Sequence, residues 1–395
     1  MTTDWRPRAA ALADKLRASG KLTTPEWHSA LSQTPRHVFV PEYYRQDRGA
    51  EWIAVRGDNP AQREKWLDAM YDNTVLVTAL ADNDNGGQLV RSSSTQPGLM
   101  VRMLEALEVR DGNTVLEIGA GTGYNAALLS QRLGDGCVYS VDIEPDLVDL
   151  ARERLAEAGH HPTVVARDGA DGFPEHAPFD RLIATCSVPA IPAAWVRQVR
   201  PGGKILADIK TGVSAGSLVL LTRYDDDAAV GRFDPVYAAF MALRPSAGVP
   251  AVPTRVDRNR DAARQRTSQL NPTTPWDNLL TWFLASFTLG PDVAAAGYTG
   301  PDDNDTNEQP APAAVWITTP DGSWTEISLR DHDGEHRVHE GGPRNLWTLI
   351  EQAHRDWTDH GQPDWDRLGL TVTRDEQRVW LDEPSGPTLG TLPTG

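Results

Sequence analysis

The chain has 395 residues, a formal net charge of −17, 39% hydrophobic and 24% charged residues, and two cysteines. Its length allows two or three domains and its apolar content a sizeable core, which excludes a wholly disordered chain. The acidic balance excludes a nucleic acid partner, which wants basic surface, and Cys137 and Cys186 form neither a CxxC pair nor a disulfide framework, so a reduced, cytoplasmic compartment is expected.

The opening MTTDWRPRAAALADKL lacks the apolar core of a signal peptide, and no stretch reaches transmembrane length, so no membrane partner is expected. Residues 5–45 read as helices, with DWRPRAAALADKLRASG ending at Gly20 and TTPEWHSALSQTP opening on a Thr cap and a proline. Residues 45–88 read as polar and irregular, with one strand in MYDNTVLVTALADNDNGGQ followed by a turn.

Four hydroxyl residues, Ser92, Ser93, Ser94 and Thr95, precede Gln96, Pro97 and an amphipathic helix. One hydroxyl suffices to cap a proline-started helix, so the others are candidates for another task.

From 98 to 210 helices and strands alternate. Helix 98–108 precedes the strand NTVLEIGA, helix 123–133 precedes CVYSVDI, and helix 145–158 precedes PTVVARD. FDRLIATCS, PAAWVRQV and GGKILADI follow as strand, helix and strand. This order predicts an α/β fold, a doubly wound, mostly parallel sheet with helices on both faces. Two antiparallel strands are expected in SLVLLTRYDDDAAVGRFDPVYAAFMAL.

Residues 245–275 read as a linker, WDNLLTWFLASFTL as a packed helix, and 289–312 as a loop. The tail predicts a hairpin around Pro-Asp-Gly, a helix in GPRNLWTLIEQAHRDWTDHG with a buried stripe of Leu346, Ile350, Ala353 and Trp357, and a second hairpin in GLTVTRDEQRVWLDEP.

The chemistry centres on VLEIGAGTGYNAALL, a strand, a glycine-rich turn and a helix. Gly119, Gly121 and Gly123 let the turn close and a ligand approach bare backbone. Asp142 ends the next strand, about twenty residues on, where a ribose-binding acid belongs in a doubly wound sheet. Asp168 and Gly169 end the strand after that. A dinucleotide pyrophosphate wants the third glycine three residues after the second; here it comes after two, and Tyr124 fills the place. The spacing favours S-adenosylmethionine over NAD. Glu117, just before the turn, suits an ammonium-bearing ligand.

At these residues the chain resembles the protein-L-isoaspartate O-methyltransferase family of class I methyltransferases. The resemblance lies in TPRHVFVPE (34–42), SSTQPGLMVRMLEAL, VLEIGAGTGYNAALL, DGADGFPEHAPFD, VPAIP and VRPGGKILADI, in family order over roughly residues 20–245. It implies S-adenosylmethionine as cofactor. The cofactor set it implies is Gln96, Glu117, Gly119, Gly121, Gly123, Tyr124, Asn125, Asp142, Ile143, Asp168 and Gly169. It also implies that Ser93, Ser94 and Thr95 form the catalytic loop, holding a substrate carboxylate beside the sulfonium methyl. Thr95 stands where the family has its serine, and Ser94 where it has isoleucine.

The tail of about 150 residues, with GPRNLW, LTVT and VWLD, resembles the extra domain of a branch found in ribosomal peptide natural-product pathways. That branch methylates an aspartate in a macrocyclised precursor such as a graspetide, lanthipeptide or lasso peptide, and the ester closes to an aspartimide. This is the leading expectation. Isoaspartate repair is the alternative, and a non-catalytic cofactor-binding protein a further one.

The expected domains are residues 1–97 as N-terminal helices and a substrate-side loop, 98–245 as the methyltransferase core, 246–312 as a linker with one helix, and 313–395 as a smaller α+β accessory domain for peptide recognition. No metal is expected. His332, His336 and His339 lack a second ligand pair. Cys186, after the fourth sheet strand, reads as small core filler.

Overall fold

The computed structural model describes residues 4–47, 51–82, 87–212, 215–224, 228–244, 263–290, 293–299 and 314–394. Parts of the expected linker (245–262) and of the expected loop (291–292 and 300–312) lie outside them.

The N-terminal region comprises α1 (Arg6–Ala18), α2 (Pro25–Gln33), α3 (Arg36–Phe39), β1 (Glu42–Gln46), β2 (Trp52–Arg56), α4 (Arg63–Met70), β3 (Leu76–Asp82) and β4 (Gln88–Ser94). Where the sequence reads as one strand in irregular chain, the structure has a four-stranded antiparallel sheet in the order β2-β1-β3-β4. The hydroxyl run is the end of β4, an edge strand, and not a helix entrance. Its local pattern hides this, because serines stand where an apolar alternation would announce a strand.

The core follows with α5 (Pro97–Ala106), β5 (Val115–Ile118), α6 (Tyr124–Leu133), β6 (Val138–Asp142), α7 (Pro145–Glu157), β7 (Thr163–Ala166), β8 (Phe179–Val188), α8 (Ala193–Gln198), β9 (Val199–Lys210), β10 (Gly216–Arg223) and β11 (Ala229–Phe233). Strands β9-β8-β5-β6-β7 are mutually parallel. Neighbouring residues on one strand point to opposite faces. Leu182 and Ala184 thus join one apolar cluster and Ile183 the other, as do Ile205 and Ala207 against Leu206. Strand order reverses beside β5, and ligands of open α/β sheets bind at such a crevice, outside the carboxyl ends of the strands.

The remaining elements are β12 (Arg264–Ser268), α9 (Thr274–Asp277), α10 (Leu279–Leu289), β13 (Ala294–Thr299), β14 (Ala314–Thr318), β15 (Trp324–His332), β16 (Glu335–Gly341), α11 (Leu346–Asp359), β17 (Leu368–Val372), β18 (Gln377–Leu381) and β19 (Thr388–Leu392). The expected accessory unit does not stand apart. Strands β12 to β16 form a five-stranded sheet, but β17 pairs antiparallel with β11, so β17 to β19 extend the core sheet to ten strands. The sheet is therefore mixed, its parallel half continued by antiparallel strands. Phe233 of β11 meets Phe283 and Trp365 of the tail at ring distances of 5.5 and 5.7 Å. Gln377 grips both backbone groups of Ile191, its Oε1 accepting the N–H at 2.9 Å and its Nε2 donating to the carbonyl at 2.7 Å. The strand pattern of the tail is local, whereas its choice of partner is not, which is why sequence separates it from the core.

Candidate active site

A cavity of about 640 Å³ opens at the carboxyl ends of β5, β6 and β8, a size typical of small-molecule sites, roughly 300–1,000 Å³. One wall is the glycine turn. Gly119 has φ +94°, and a Cβ there would lie 2.8 Å from Thr185 Oγ1, so only glycine fits. Asp142 Oδ2 accepts the Gly121 N–H at 2.8 Å, tying the turn to the end of β6.

Glu117 lies fully buried behind the turn. Its carboxylate accepts from Asn125 Nδ2 at 2.7 Å and Ser140 Oγ at 2.5 Å. Burial pushes its pKa up to about 7 against those two hydrogen bonds. Asn125 Oδ1 is buried with no hydrogen-bond partner among the described residues.

The facing wall is the end of β4 and the turn into α5. Ser92 Oγ accepts from Thr78 Oγ1 at 3.1 Å and stands 3.8 Å from where a Cβ on Gly121 would be. Helix α5 takes no cap from the hydroxyl run. Asn73 Oδ1 accepts the Gly98 N–H at 2.7 Å, and Gln96 Nε2 donates to the Asn73 carbonyl at 2.9 Å.

Beneath the hydroxyls lies a residue that sequence reasoning passed over. Arg36 is fully buried. Its guanidinium donates to Ser94 Oγ at 3.2 Å and to the carbonyls of Met70 (3.2 Å), Asp72 (3.3 Å), Thr74 (3.1 Å), Ser94 (3.4 Å) and Thr95 (3.2 Å). Among the described residues no carboxylate is in salt-bridge contact with it. Burial pulls its pKa down to about 10, so it stays charged at neutral pH. The signal was there to find, since Arg36 lies inside TPRHVFVPE.

Ser94 is thus occupied by Arg36, whereas the half-buried hydroxyls of Ser93 and Thr95 have no partner among the described residues. Of the expected site residues, Ser93, Ser94, Thr95, Gln96, Glu117, Gly119, Gly121, Tyr124, Asn125, Asp142, Ile143 and Gly169 all line this one cavity. Gly123 and Asp168 do not. Gly123 has φ +87° and sits where a Cβ would be 3.2 Å from the Ala151 Cβ, so it serves helix packing. Asp168 turns its carboxylate to the Ala170 N–H at 2.9 Å and caps a short turn.

Three arginines complete the wall, each neutralised. Arg91 donates to Glu144 at 2.7 Å and Asp146 at 2.6 Å, Arg244 to Glu144 at 2.6 Å, and Arg102 to Asp234 at 2.7 Å. Cys186 is buried against the cavity, and burial pushes its thiol well up, which leaves no thiolate nucleophile. His336 of the tail lies with Nδ1 2.9 Å from the Ser328 carbonyl oxygen, inside the β15–β16 hairpin.

The family described as Protein-L-isoaspartate(D-aspartate) O-methyltransferase matches residues 59–241. The protein-L-isoaspartate O-methyltransferase of Ignicoccus hospitalis is 31% identical over 234 residues, covering 59% of this chain and 95% of the relative. The chain belongs to this family. Its counterpart in Aeropyrum pernix is 31% identical over 210 residues, 52% of this chain and 68% of the relative. A solved protein-L-isoaspartate O-methyltransferase shares the fold with a TM-score of 0.54 at 21% identity, covering 94% of this chain and 99% of its own. That likeness of fold extends over most of the chain, whereas the match to the Ignicoccus hospitalis relative takes in 59% of it.

Members of the family are S-adenosylmethionine-dependent carboxyl O-methyltransferases, and this chain is an enzyme of that class. The residues present fit the cofactor. The unpartnered Asn125 Oδ1 is an acceptor awaiting a donor, the glycine turn leaves backbone bare, and Glu117 and Asp142 supply negative charge toward a cationic ligand with hydroxyls to bind. Among the described residues no helix is long and apolar enough to cross a membrane.

Proposed function

We propose that this methyltransferase esterifies the free carboxylate of isoaspartyl residues in polypeptides. The observation that carries the reading is the pair of unpartnered hydroxyls, Ser93 and Thr95, facing the glycine turn across one cavity. Bound S-adenosylmethionine supplies an electrophilic methyl group, which a carboxylate oxygen takes up as the sulfur–carbon bond breaks. A carboxylate is already ionised at neutral pH, so the protein need not remove a proton. Its task is orientation. Ser93 and Thr95 donate to one carboxylate oxygen and leave the other free to attack. Arg36 fixes the backbone carbonyls of the loop, and its buried charge favours an anion above it. Because it reaches the substrate only through Ser94 and the backbone, it does not clamp the carboxylate directly, and the attacking oxygen keeps its nucleophilicity.

A second reading is methylation of an aspartate side chain in a macrocyclised ribosomal peptide, with closure to an aspartimide. The hydroxyl at 94 and the long tail favour it in the sequence. Ser94, however, accepts from Arg36, and the tail lies within the span shared with a solved protein-L-isoaspartate O-methyltransferase. One assay separates the two. Tritiated methyl transfer is measured to an isoaspartyl peptide, its aspartyl isomer and a cyclised aspartyl peptide of the same sequence. Transfer to the isoaspartyl peptide alone is expected. Transfer confined to the cyclised aspartyl peptide would overturn the proposal in favour of the second reading.

A further inference from the structure

Methyl transfer joins two molecules held on two walls, so its rate depends on how firmly those walls are held against each other. Strand β4, which ends in the hydroxyls, pairs with β3 alone, in a sheet separate from that of the glycine turn. The segment from Asp234 to Arg244 follows β11 and lines the cavity from Val236 onward. It is irregular apart from one bridge, between Ala242 and Ser187 of β8. Neither is joined to β6 by a sheet ladder.

Both meet at Glu144, two residues beyond Asp142. Glu144 Oε2 accepts from Arg91 of β4 at 2.7 Å, and Oε1 accepts from Arg244 at 2.6 Å. The Glu144 backbone N–H donates to Asp142 Oδ1 at 3.2 Å, while Asp142 Oδ2 holds the Gly121 N–H. Arg91 also donates to Asp146, in the first turn of α7, at 2.6 Å. The other side chains near the end of β4 turn away from this junction, Ser92 to Thr78 and Ser94 to Arg36. The cavity's other two lining cations stand elsewhere, Arg102 on Asp234 at the start of the segment and Lys21 between α1 and α2. The Arg91 hydrogen bond holds the Glu144 carboxyl below its ordinary value, so the junction is charged at neutral pH. Arg91 and Glu144 are 25% and 26% exposed, and ion pairs this open to water contribute little to stability. What the junction supplies is placement, because it ties together three walls that no ladder joins.

We infer that Glu144 is a positioning residue for methyl transfer, the joint that fixes the hydroxyl-bearing strand and the Asp234–Arg244 segment against Asp142 and the glycine turn. Its side chain is not among those lining the cavity, so it acts through Arg91, Arg244 and Asp142. The inference rests on the reading above in taking Ser93 and Thr95 as the carboxylate's donors. A slack joint leaves each ligand its own contacts and disturbs only their alignment with each other. It therefore lowers kcat while KM and cofactor affinity stay nearly unchanged.

The test uses the full-length enzyme and whichever of the three peptides above accepts methyl from the wild type. Glu144→Gln should lower kcat by about tenfold, with peptide KM and S-adenosylmethionine affinity within about threefold of wild type and an unchanged melting temperature. Arg91→Met and Arg244→Met should each lower kcat too, and combining either with Glu144→Gln should cost no more than Glu144→Gln alone. About 1 M sodium chloride, which screens charges beyond roughly 3 Å, should lower the wild-type kcat and leave that of Glu144→Gln flat. Glu64→Gln, which breaks an ion pair of α4 with Arg8 away from the cavity, should keep kcat. If Glu144→Gln proves unstable, Glu144→Asp replaces it, keeping the charge and shortening the reach, with the same loss of kcat expected. A wild-type kcat in the Glu144 variant, or a loss confined to KM, would overturn the inference and leave carboxylate methylation standing. Additive losses in the combined variants would do the same, because the arginines would then act independently of Glu144. A wild-type enzyme that labels none of the three peptides would overturn both.

Discussion

The wall of the cavity proposed to hold the cofactor takes Glu117, Gly119, Gly121, Asn125 and Asp142 from one continuous run between β5 and the end of β6. The facing wall takes Ser93 and Thr95 from the end of β4 and rests them on Arg36 of α3, which in turn holds the carbonyls of Met70, Asp72 and Thr74. The first wall is a local motif, in which backbone geometry and strand-end carboxylates create the site. The second is a tertiary assembly, in which one buried cation organises chain from several elements. A perturbation of the first wall should therefore weaken the cofactor and spare the fold. A perturbation under the second should reach both fold and turnover while sparing the cofactor in whatever remains folded.

Arg36→Met probes that contrast at its strongest. It leaves a cluster of buried carbonyls and the Ser94 hydroxyl without a donor, each an uncompensated desolvation, so stability should fall by about 3–5 kcal/mol. Urea unfolding measures that loss. In the folded fraction, calorimetry should find cofactor affinity near wild type while methyl transfer collapses. Arg36→Lys keeps the charge but loses the fork, and should recover only part of both. An Arg36→Met enzyme of normal turnover would show that the hydroxyl loop holds itself.

Ser93→Ala combined with Thr95→Ala removes the two free donors without touching the Arg36 cluster. Turnover should fall by about 100-fold, the scale of losing oriented donors at a reacting oxygen, with unchanged melting temperature. Ser94→Ala should differ in kind, costing stability first, because its hydroxyl accepts from Arg36. Equal stability losses in the two variants would erase the distinction drawn between them.

Asp142→Ala tests the cofactor wall. A hydrogen bond to a charged group is worth about 1.5–3 kcal/mol, so affinity for S-adenosylmethionine should drop roughly 10- to 100-fold by calorimetry. The carboxylate also accepts the Gly121 N–H, so Asp142→Asn, which retains an acceptor, should lose less. Unchanged affinity in both would remove Asp142 from the cofactor site.

The same division explains what the sequence made legible. The alternation of 98–210, the glycine turn and Asp142 are patterns within short windows, and the structure places them where those patterns predict. Gly123 and Asp168 belong to the same windows yet leave the cavity wall, because pattern gives a position on the turn but not the neighbour it faces; for Gly123 that neighbour is Ala151. The wall proposed to hold the substrate was half legible. The hydroxyls were visible, but their strand was not, since β4 buries serines where a strand usually buries aliphatics. Arg36 was invisible as a site residue because a lone arginine in a helix signals nothing until Met70, Thr74 and Ser94 close around it. The tail was legible as elements and not as placement. The pairing of β17 with β11 spans more than a hundred residues of sequence, and nothing in either strand names its partner.

The smallest expected effect separates the walls by pH. Among the described residues Glu117 is the one fully buried carboxylate on the proposed cofactor side of the cavity, and burial raises its pKa from 4.5 to about 7. The folded protein therefore holds its proton more tightly than the unfolded chain. The sign follows by linkage. Stability from this group is complete below about pH 4.5 and is lost as pH climbs toward about 7, the interval in which the folded state binds more protons. Asp208, raised to about 6 by burial, adds a slope of the same sign from β9, outside the cavity. Glu117→Gln should flatten the Glu117 part and leave the Asp208 part. Cofactor binding runs the other way. A cationic ligand favours the ionised carboxylate, so affinity should rise by about tenfold between pH 6 and pH 8 and level off above. Ser93 and Thr95 carry no titratable charge, so the double variant should keep that profile, whereas Glu117→Gln should abolish it. A wild-type affinity independent of pH across that window would place Glu117 as a purely structural acceptor for Asn125 and Ser140, and the negative charge of the cofactor wall would then rest on Asp142 alone.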